Sequence, residues 1–343
     1  MSLYIASLNS GSNGNSYYIG NDREAVLIDA GLSCRETERR MSRLGLQISL
    51  VKAIFISHEH DDHIRGLEVL SKRYQIPVYI TGETLGNSRI QLDDHLVRPL
   101  SPAENIPIGE LTILAFSKTH DAIDPHSFVV STEREDGCSI RIGVFTDIGH
   151  VCDNLTLHFQ SCHAAFPESN YDELLLENGR YPWPLKNRIR GGKGHLSNHQ
   201  ALELFVRHRP AYMSHLLLAH LSQDNNRPEL VQRLFEDASH GTFVVVASRH
   251  GESEVYAIDG KYIGRPGIGP AADWIGNPAK PSNPGKSANP PNPGIPGKPT
   301  NPPNPGIPTT PTPQPSGIGH SKIRRRKTAI LDRPGQPIQT SLF

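Results

Sequence analysis

The chain has 343 residues, of which 36% are hydrophobic and 20% charged, and its 35 basic side chains balance 35 acidic ones. This content suffices for one sizeable core or two modest ones, and no run of 18 apolar residues indicates a membrane span. The N-terminus lacks a signal-peptide pattern, so we expect a cytoplasmic protein. The four cysteines have irregular spacings without a C-x-x-C pair, which argues against a disulfide framework and a zinc ribbon.

Composition divides the chain near residue 261. From Tyr262 onward the sequence is rich in Pro, Gly and Asn and contains ten basic and two acidic residues, a net charge of +8, which leaves −8 for residues 1–261. A unit of 12 residues, "NPPNPGIPGKPT", begins at Asn289 and is repeated from Asn301 as "NPPNPGIPTTPT". The pattern predicts a folded acidic body over 1–261 and a disordered, proline-rich basic linker over 262–338.

The first half of the body reads as strands alternating with helices. "SYYIG" and "AVLIDAG" predict strands, and "SCRETERRMSRLGL" predicts a helix with Ser33 as its cap and Glu36 completing a capping box. After the strand "VKAIFIS", the segment "HEHDDHIRGLEVLSKRY" places Ile64, Leu67 and Leu70 on one helical face. "IPVYITG" predicts the next strand.

The same alternation continues in the second half. We predict strands in "SFVVST", "IRIGVFTD", "HLLLAH" and "TFVVVA", and helices in "SNHQALELFVRH" and "PELVQRLFEDA". This order indicates a layered α/β fold whose polar residues collect at strand ends, where such sheets usually place their chemistry.

The stretch "SHEHDDH" lies between an apolar strand and a helix and predicts a metal site. It offers three imidazoles and a carboxylate, a donor set that suits a pair of divalent ions, in His58, His60, Asp62 and His63. A polar helix entry with chance histidines is the plainer interpretation. Further candidate ligands follow other strands, and these are His120, Asp147 and His220.

These motifs resemble the metallo-β-lactamase fold superfamily and, within it, the YycJ (WalJ) group of DNA-processing nucleases, with tRNase Z as a more distant relative. The resemblance covers roughly residues 2–258 and also includes "SGSNGNS", "LIDAG", "THDA", "TDIG", "ESNYD", "YPWPLKNRI", "GHLSN" and "AHLSQDNN". It implies a four-layer αββα sandwich and two divalent metal ions, Zn or Mn. RNase J inserts a large domain after the aspartate that corresponds to Asp147. Here recognisable motifs fill the interval between Asp147 and His220, so we expect no such insertion.

The resemblance also implies a role for each site residue. One ion would be held by His58, His60 and His120, the other by Asp62, His63 and His220, with Asp147 bridging both ions. Asp29 would orient the histidine loop. Asp62, Glu168 and His195 would be catalytic, the last two supplying a proton to the leaving oxygen. The plainer interpretations are a loop carboxylate for Glu168 and a helix N-terminal residue for His195.

The segment "GRYPWPLKNRIRGGKGH" combines basic and aromatic residues just before His195. Basic groups that hold phosphates beside aromatics that stack on bases are typical of a path for single-stranded nucleic acid. A solvated basic loop is the alternative. The candidate nucleic-acid contacts are Tyr181, Trp183, Lys186, Arg188, Arg190 and Lys193, together with Arg180.

The leading hypothesis is a metal-dependent phosphodiesterase, a 5′-to-3′ DNA exonuclease as the YycJ resemblance implies, acting in DNA repair or replication-associated processing. An RNA-processing nuclease like tRNase Z, a small-molecule thioesterase or lactonase, and a metal-binding adaptor without turnover are the alternatives. The terminal "QTSLF", residues 339–343, resembles the peptide by which bacterial DNA-processing proteins bind the sliding clamp. Gln339, Leu342 and Phe343 would be its anchors.

Overall fold

The computed structural model describes residues 2–134 and 136–261. Within these ranges the chain forms two mixed β-sheets that share a central apolar core, and helices cover the outer face of each sheet. The predicted four-layer αββα sandwich is therefore confirmed. The predictions for the linker and for the terminal peptide concern residues that lie outside the described part of the chain.

The first sheet has the strand order β14-β1-β2-β3-β4-β5-β6 and the second has the order β13-β12-β11-β10-β9-β8-β7. The strands are β1 (Leu3–Asn9), β2 (Ser16–Gly20), β3 (Ala25–Ile28), β4 (Val51–Phe55), β5 (Val78–Ile80), β6 (Val97–Pro99), β7 (Asn105–Ile108), β8 (Leu111–Ser117), β9 (His126–Glu133), β10 (Ser139–Phe145), β11 (Ala164–Pro167), β12 (His215–Leu218), β13 (Phe243–Val246) and β14 (Tyr256–Ile258).

The helices pack in two groups on the outer faces of the sheets. Among them, α1 and α3 contribute to the core outside the first sheet, and α5, α8 and α9 contribute to the core outside the second. The helices are α1 (Cys34–Arg43), α2 (Asp61–Ile64), α3 (Leu67–Tyr74), α4 (Gly82–Asn87), α5 (Asp153–Phe159), α6 (Glu173–Asn178), α7 (Trp183–Arg190), α8 (Asn198–His208) and α9 (Pro228–Glu236).

Aromatic side chains join the two sheets in the central core. The Phe55 ring on β4 stacks on Tyr79 of β5 with centroids 4.5 Å apart, and it meets Phe128 of β9 edge-on at 5.9 Å. Phe55 and Phe128 are completely buried. Removing this much apolar surface from water is the main force that holds the sheets together.

The parallel parts of the two sheets position the site. Strands β3 to β6 run parallel to one another, as do strands β10 to β13. In each parallel group the carboxyl ends of the strands meet at one edge, which is where open α/β sheets bind ligands. The segments that follow β3, β4, β10, β11 and β12 carry most of the predicted site.

Two local predictions need correction. Ser33 caps α1 by accepting the Glu36 N–H, as predicted, but the Glu36 carboxylate pairs with Arg39 and Arg40 instead of completing a capping box. The helix predicted after the histidine motif is divided into α2 and α3 at Gly66, where any side chain would clash with the Leu32 carbonyl.

The predicted apolar face of that segment is confirmed, because Ile64, Leu67 and Leu70 are all buried. Strands β1, β6, β7, β8, β11 and β14 and helices α4 to α7 were not predicted. No helix in the described ranges has the length and hydropathy needed to cross a lipid bilayer.

Candidate metal centre

The histidine motif begins just after β4 and enters α2. His58 is buried in the connecting loop, and His60 is the residue that precedes the first turn of α2. Asp62 and His63 lie within that turn, not in the loop where the sequence analysis located them. The loop and the short helix therefore present two imidazoles and then an Asp-His pair toward the same edge of the sheet.

Asp29, which follows β3, holds this loop in place. Its Oδ1 accepts the Ser57 N–H at 2.8 Å, and its Oδ2 accepts the Ser57 hydroxyl at 2.8 Å and the His63 Nδ1–H at 2.7 Å. Because Nδ1 of His63 donates to Asp29, Nε2 is the ring nitrogen that faces the cluster. The next glycine, Gly31, allows the close backbone approach, since a Cβ there would collide with the Asp62 carbonyl.

The second sheet supplies three further side chains from separate segments. His120 follows β8, Asp147 follows β10 and His220 follows β12. Asp147 and His220 have positive φ angles of 55° and 56°, and Asp29 has one of 62°. Left-handed backbone in non-glycine residues costs free energy and is concentrated at functional sites, where the surrounding structure enforces it.

The Asp147 carboxylate lies at the middle of the cluster. Its Oδ2 is 3.2 Å from His63 Nε2, and its Oδ1 is 3.5 Å from His220 Nδ1 and 3.7 Å from His120 Nε2. On either side of it are two groups whose ligand atoms all lie within 4.8 Å of one another. We call them set A, which is His58, His60 and His120, and set B, which is Asp62, His63 and His220.

Buried polar atoms without partners test whether these residues fit a metal ion. Within the described residues, His120 Nε2, Asp147 Oδ2 and His220 Nε2 are buried and make no hydrogen bond. A buried polar atom without a partner costs free energy, so such atoms are rare unless they serve a ligand. The donors are imidazole nitrogen and carboxylate oxygen, which suit Zn²⁺ and Mn²⁺. The residues therefore fit divalent metal ions.

Protonation differs between the two sets. Burial lowers the pKa of His58 well below its ordinary value and that of His120 to about 3, which keeps both imidazoles in the neutral form that binds metal. Burial also acts to lower the pKa of His63, but Asp147, Asp29 and Asp62 outweigh it and raise this pKa to about 10. Burial likewise acts to lower the pKa of His220, but nearby carboxylates, chiefly Asp147, raise it well above its ordinary value.

Glu168 and His195 form a hydrogen-bonded pair beside Asp147. Glu168 is completely buried just after β11, and its Oε2 accepts the N–H groups of Ile148 at 2.9 Å and Leu196 at 3.0 Å. Its Oε1 lies 2.8 Å from His195 Nδ1 and 2.9 Å from His220 Nδ1. Burial acts to raise the pKa of Glu168, but His195 and His220 lower it to about 2, so it is an acceptor at neutral pH.

The His195 side chain is 18% exposed, in contrast to the buried imidazoles of His58, His63, His120 and His220. Its Nδ1 is engaged by Glu168, which leaves Nε2 as the nitrogen available to another molecule. His195 also precedes the α8 capping box made by Ser197 and Gln200, so the plainer interpretation of its position describes the same local structure.

The predicted nucleic-acid segment forms helix α7 and the turn after it, not a loop. Lys186 is almost buried and donates to the Glu177 carbonyl, while Arg188 pairs with Asp121 beside His120. Arg190 pairs with Glu177 at 2.8 Å and lies over the Trp183 ring at 4.4 Å.

Other members of that segment remain accessible. Trp183 is 58% exposed, Lys193 is exposed, and the Arg180 side chain is 94% exposed. The Tyr181 hydroxyl donates to Asp224 at 3.0 Å. The exposed aromatic and basic groups are thus Arg180, Trp183, Arg188, Arg190 and Lys193, while Lys186 serves the packing of α7.

Two residues with clear positioning contacts were not predicted. Ser57 hydrogen-bonds Asp29 and its Oγ lies 2.9 Å from His58 Nδ1, and the Asn170 amide donates to the His220 carbonyl at 2.8 Å. Each lies within a motif quoted above, Ser57 in "SHEHDDH" and Asn170 in "ESNYD". The only signal in the sequence was therefore that each stands near predicted site residues. The partner residues Gln339, Leu342 and Phe343 lie outside the described residues.

The chain is similar to known proteins in sequence and in fold. The family model of the metallo-beta-lactamase superfamily matches residues 10–126. Exodeoxyribonuclease YycJ of Bacillus anthracis is 34% identical over 252 residues, which are 70% of this chain and 92% of that protein. Exodeoxyribonuclease WalJ of Streptococcus pneumoniae is 31% identical over 228 residues, 65% of this chain and 83% of the relative.

Among solved structures, the metallo-beta-lactamase fold protein YhfI from Bacillus subtilis has a TM-score of 0.56 at 15% identity, covering 74% of this chain and 99% of that one. This likeness concerns the fold. Together, the sandwich, the clustered ligands and the family match define a metal-dependent hydrolase of the metallo-β-lactamase superfamily. Within that superfamily the chain belongs to the YycJ/WalJ family.

Proposed function

We propose that this protein is a nuclease that binds two divalent metal ions and degrades DNA from the 5′ end, in repair or replication-associated processing. The observation that carries the proposal is the position of Asp147, whose carboxylate oxygens approach His120 of set A and both His63 and His220 of set B. A carboxylate between two ligand sets is the arrangement that a bridged pair of ions requires.

Each set would hold one ion, Zn²⁺ or Mn²⁺, and Asp147 would serve both. Ions bound there would activate a water molecule as the nucleophile and neutralise charge on a phosphodiester. The protein contributes the fixed positions of the ligands. Asp29 holds His63 through Nδ1, and the Gly194 carbonyl accepts from His120 Nδ1 at 3.1 Å, so that the other nitrogen of each ring faces the cluster.

His195 would donate the proton that the leaving oxygen needs. Its Nδ1 is held by Glu168 at 2.8 Å, and its side chain is partly exposed, so Nε2 is available to another molecule. Glu168 is itself fixed by two backbone N–H groups and is ionised, so it accepts from His195 Nδ1 and orients the imidazole. This division of roles matches a general acid supported by a carboxylate.

The choice of DNA rests on the relatives and on the surface near His195. The relatives that are 34% and 31% identical are both named exodeoxyribonucleases. Lys193 is exposed two residues before His195 and offers a phosphate contact, and Trp183 at the start of α7 is exposed and offers a stacking surface, which suits a single strand. The 5′-to-3′ direction follows from the resemblance to the YycJ group.

The decisive test is digestion of end-labelled single-stranded and double-stranded DNA and RNA, with each 5′ end phosphorylated or free, in Mn²⁺ or Zn²⁺. We expect stepwise loss of nucleotides from the 5′ end of DNA. The matched control is Asp62→Asn, which preserves the side-chain size but removes the ligand charge. Preferential cleavage of RNA would identify an RNA-processing nuclease, and hydrolysis of acyl thioesters with intact DNA would identify a small-molecule hydrolase.

The sliding-clamp hypothesis rests on the sequence "QTSLF" alone, because residues 339–343 lie outside the described part of the chain. It stays a prediction. Titration of a peptide covering residues 334–343 against a bacterial sliding clamp should give micromolar binding. The Leu342→Ala, Phe343→Ala peptide should not bind, and equal signals from the two peptides would contradict the hypothesis.

A further inference from the structure

The segment between β1 and β2 packs beneath the metal centre and has no role in the chemistry described so far. It carries the motif "SGSNGNS", whose last residue begins β2. Three polar side chains of this segment and of β2 are buried next to one another. Ser10 is 1% exposed, and Asn15 and Tyr17 are completely buried. Buried polar groups are stable only when they are hydrogen-bonded, so their partners reveal their purpose.

These three side chains form one continuous hydrogen-bonded path. The His220 N–H donates to Ser10 Oγ at 2.7 Å, and Ser10 Oγ lies 2.8 Å from Tyr17 Oη. The Tyr17 hydroxyl donates to Asn15 Oδ1 at 3.2 Å, so the Ser10 hydroxyl is the donor to Tyr17. The Asn15 Nδ2 donates to Asp62 Oδ2 at 3.1 Å.

The orientation of the Asn15 amide is fixed by its partners. Its Oδ1 accepts from Tyr17 and also from the Gly11 N–H at 2.9 Å, so the oxygen cannot face the cluster. Its Nδ2 therefore faces the cluster, close to Asp62 Oδ2 and 3.1 Å from His63 Nε2. The Asn15 backbone N–H also donates to the Asp62 carbonyl at 2.7 Å, so one residue holds Asp62 in two places.

The path touches every member of set B. It begins at the backbone of His220 and ends at the Asp62 carboxylate and the His63 ring. The hydrogen bonds of set A go to other partners, since His58 contacts Ser57 and His60, and His120 contacts Gly194. The network is therefore built around one of the two proposed ion sites.

We propose that Ser10, Tyr17 and Asn15 are positioning residues that set the geometry, and therefore the metal affinity, of set B. Asp62 lies in α2, which follows β4 of the first sheet, and His220 follows the end of β12 in the second sheet. The network joins these two elements through fixed hydrogen bonds, so that both ligands hold their places without the ion. This inference rests on the proposed pair of ions.

The test is a binding titration of Mn²⁺ into chelator-treated full-length protein, with the thermal unfolding of each ion-free variant as a second readout. Asn15→Ala removes the amide but retains the backbone bond to Asp62, and Tyr17→Phe removes only the hydroxyl. The matched control is Tyr18→Phe, because Tyr18 is equally buried and its hydroxyl has no hydrogen-bond partner within the described residues.

We expect wild type and Tyr18→Phe to bind two ions with the same affinities. In Asn15→Ala one dissociation constant should rise about 10- to 100-fold while the other stays unchanged, with a smaller rise in the same direction for Tyr17→Phe. Rate lost by either variant should return when Mn²⁺ is raised to saturate the weakened site. If Asn15→Ala does not fold, Tyr17→Phe decides the question alone.

Two results would overturn the inference. Unchanged affinity at both sites in Asn15→Ala and Tyr17→Phe would mean that the network does not position set B. Equal loss at both sites, together with a lower unfolding temperature of the ion-free variant, would mean that it supports the fold in general. Wild-type protein that binds fewer than two ions would instead contradict the proposed pair of ions, which is a separate failure.

Discussion

The two sheets contribute to the metal centre in different ways. The first sheet supplies its candidate ligands from one short stretch, residues 58–63, which turns from a loop into α2 after β4. The second sheet supplies His120, Asp147 and His220 from three segments that are far apart in the chain. Only the parallel order of β10, β11 and β12 brings the last two together with Glu168.

This difference determines how each half is held. The histidine stretch is fixed by local contacts, with Asp29 bonding both Ser57 and His63. On the second sheet, Asp147 and His220 take left-handed backbone conformations, and Glu168 joins the His195 segment to the end of β12. A local motif therefore defines one half of the centre, and tertiary structure assembles the other.

Among substitutions at the centre, we expect Asp147→Ala to have the largest effect on metal binding and turnover. Asp147→Ala removes the carboxylate that contacts both ligand sets, so it should weaken both ions and reduce turnover by about 10³-fold or more. His60→Ala removes a ligand of set A alone and should leave the other ion bound. Metal analysis alongside nuclease assays distinguishes the two variants, and an identical ion loss in both would contradict the shared role of Asp147.

The next largest effect concerns His195, the proposed proton donor. His195→Ala should keep both ions but lose about 10²- to 10⁴-fold in rate, and a substrate with a better leaving group should recover part of that loss. The control is His199→Ala, since His199 lies four residues further along and its side chain is 70% exposed. Loss of an ion in His195→Ala would make His195 a ligand instead of an acid.

A smaller effect is expected where the first sheet holds its histidine loop. Asp29→Asn retains a residue that tolerates the left-handed backbone at φ 62° but weakens the acceptor for His63 Nδ1–H. Metal affinity should fall about 10- to 100-fold, measured by competition with a chelator. Wild-type affinity in this variant would show that the orientation of His63 does not depend on the Asp29 charge.

The smallest effects should come from the surface near α7. Trp183→Ala should weaken single-stranded DNA binding about tenfold without changing its salt dependence, because stacking involves no phosphate. Lys193→Ala should make the plot of log affinity against log salt less steep, reducing the magnitude of its slope by about 0.7. The control is Leu174→Ala, an apolar residue that is 74% exposed on neighbouring α6. Equal behaviour of all three variants would remove this surface from the substrate path.

Much of the fold follows from the sequence because strand and helix periods alternate clearly. Ile64, Leu67 and Leu70 are buried as their spacing predicts, yet the helix that carries them is broken at Gly66. At Gly66 the Leu32 carbonyl comes so close that any side chain would clash, which is a tertiary contact. Local periodicity contains no information about that contact.

The site was predictable to the extent that its residues stand in recognisable motifs. The ligand candidates converge in the structure because each follows a strand whose end faces the same edge. The burial of Lys186 and the Ser10–Tyr17–Asn15 path were not predictable, because both depend on partners distant in the sequence. Their chemistry is visible only after Glu177, His220 and Asp62 are placed.

We propose that the two sheets together build a centre for two metal ions. The most direct measurement is the metal content of the full-length wild-type protein after reconstitution with Mn²⁺ or Zn²⁺ and removal of excess ions, determined by mass spectrometry. We expect two ions per chain. A value of one or less after full reconstitution would contradict it.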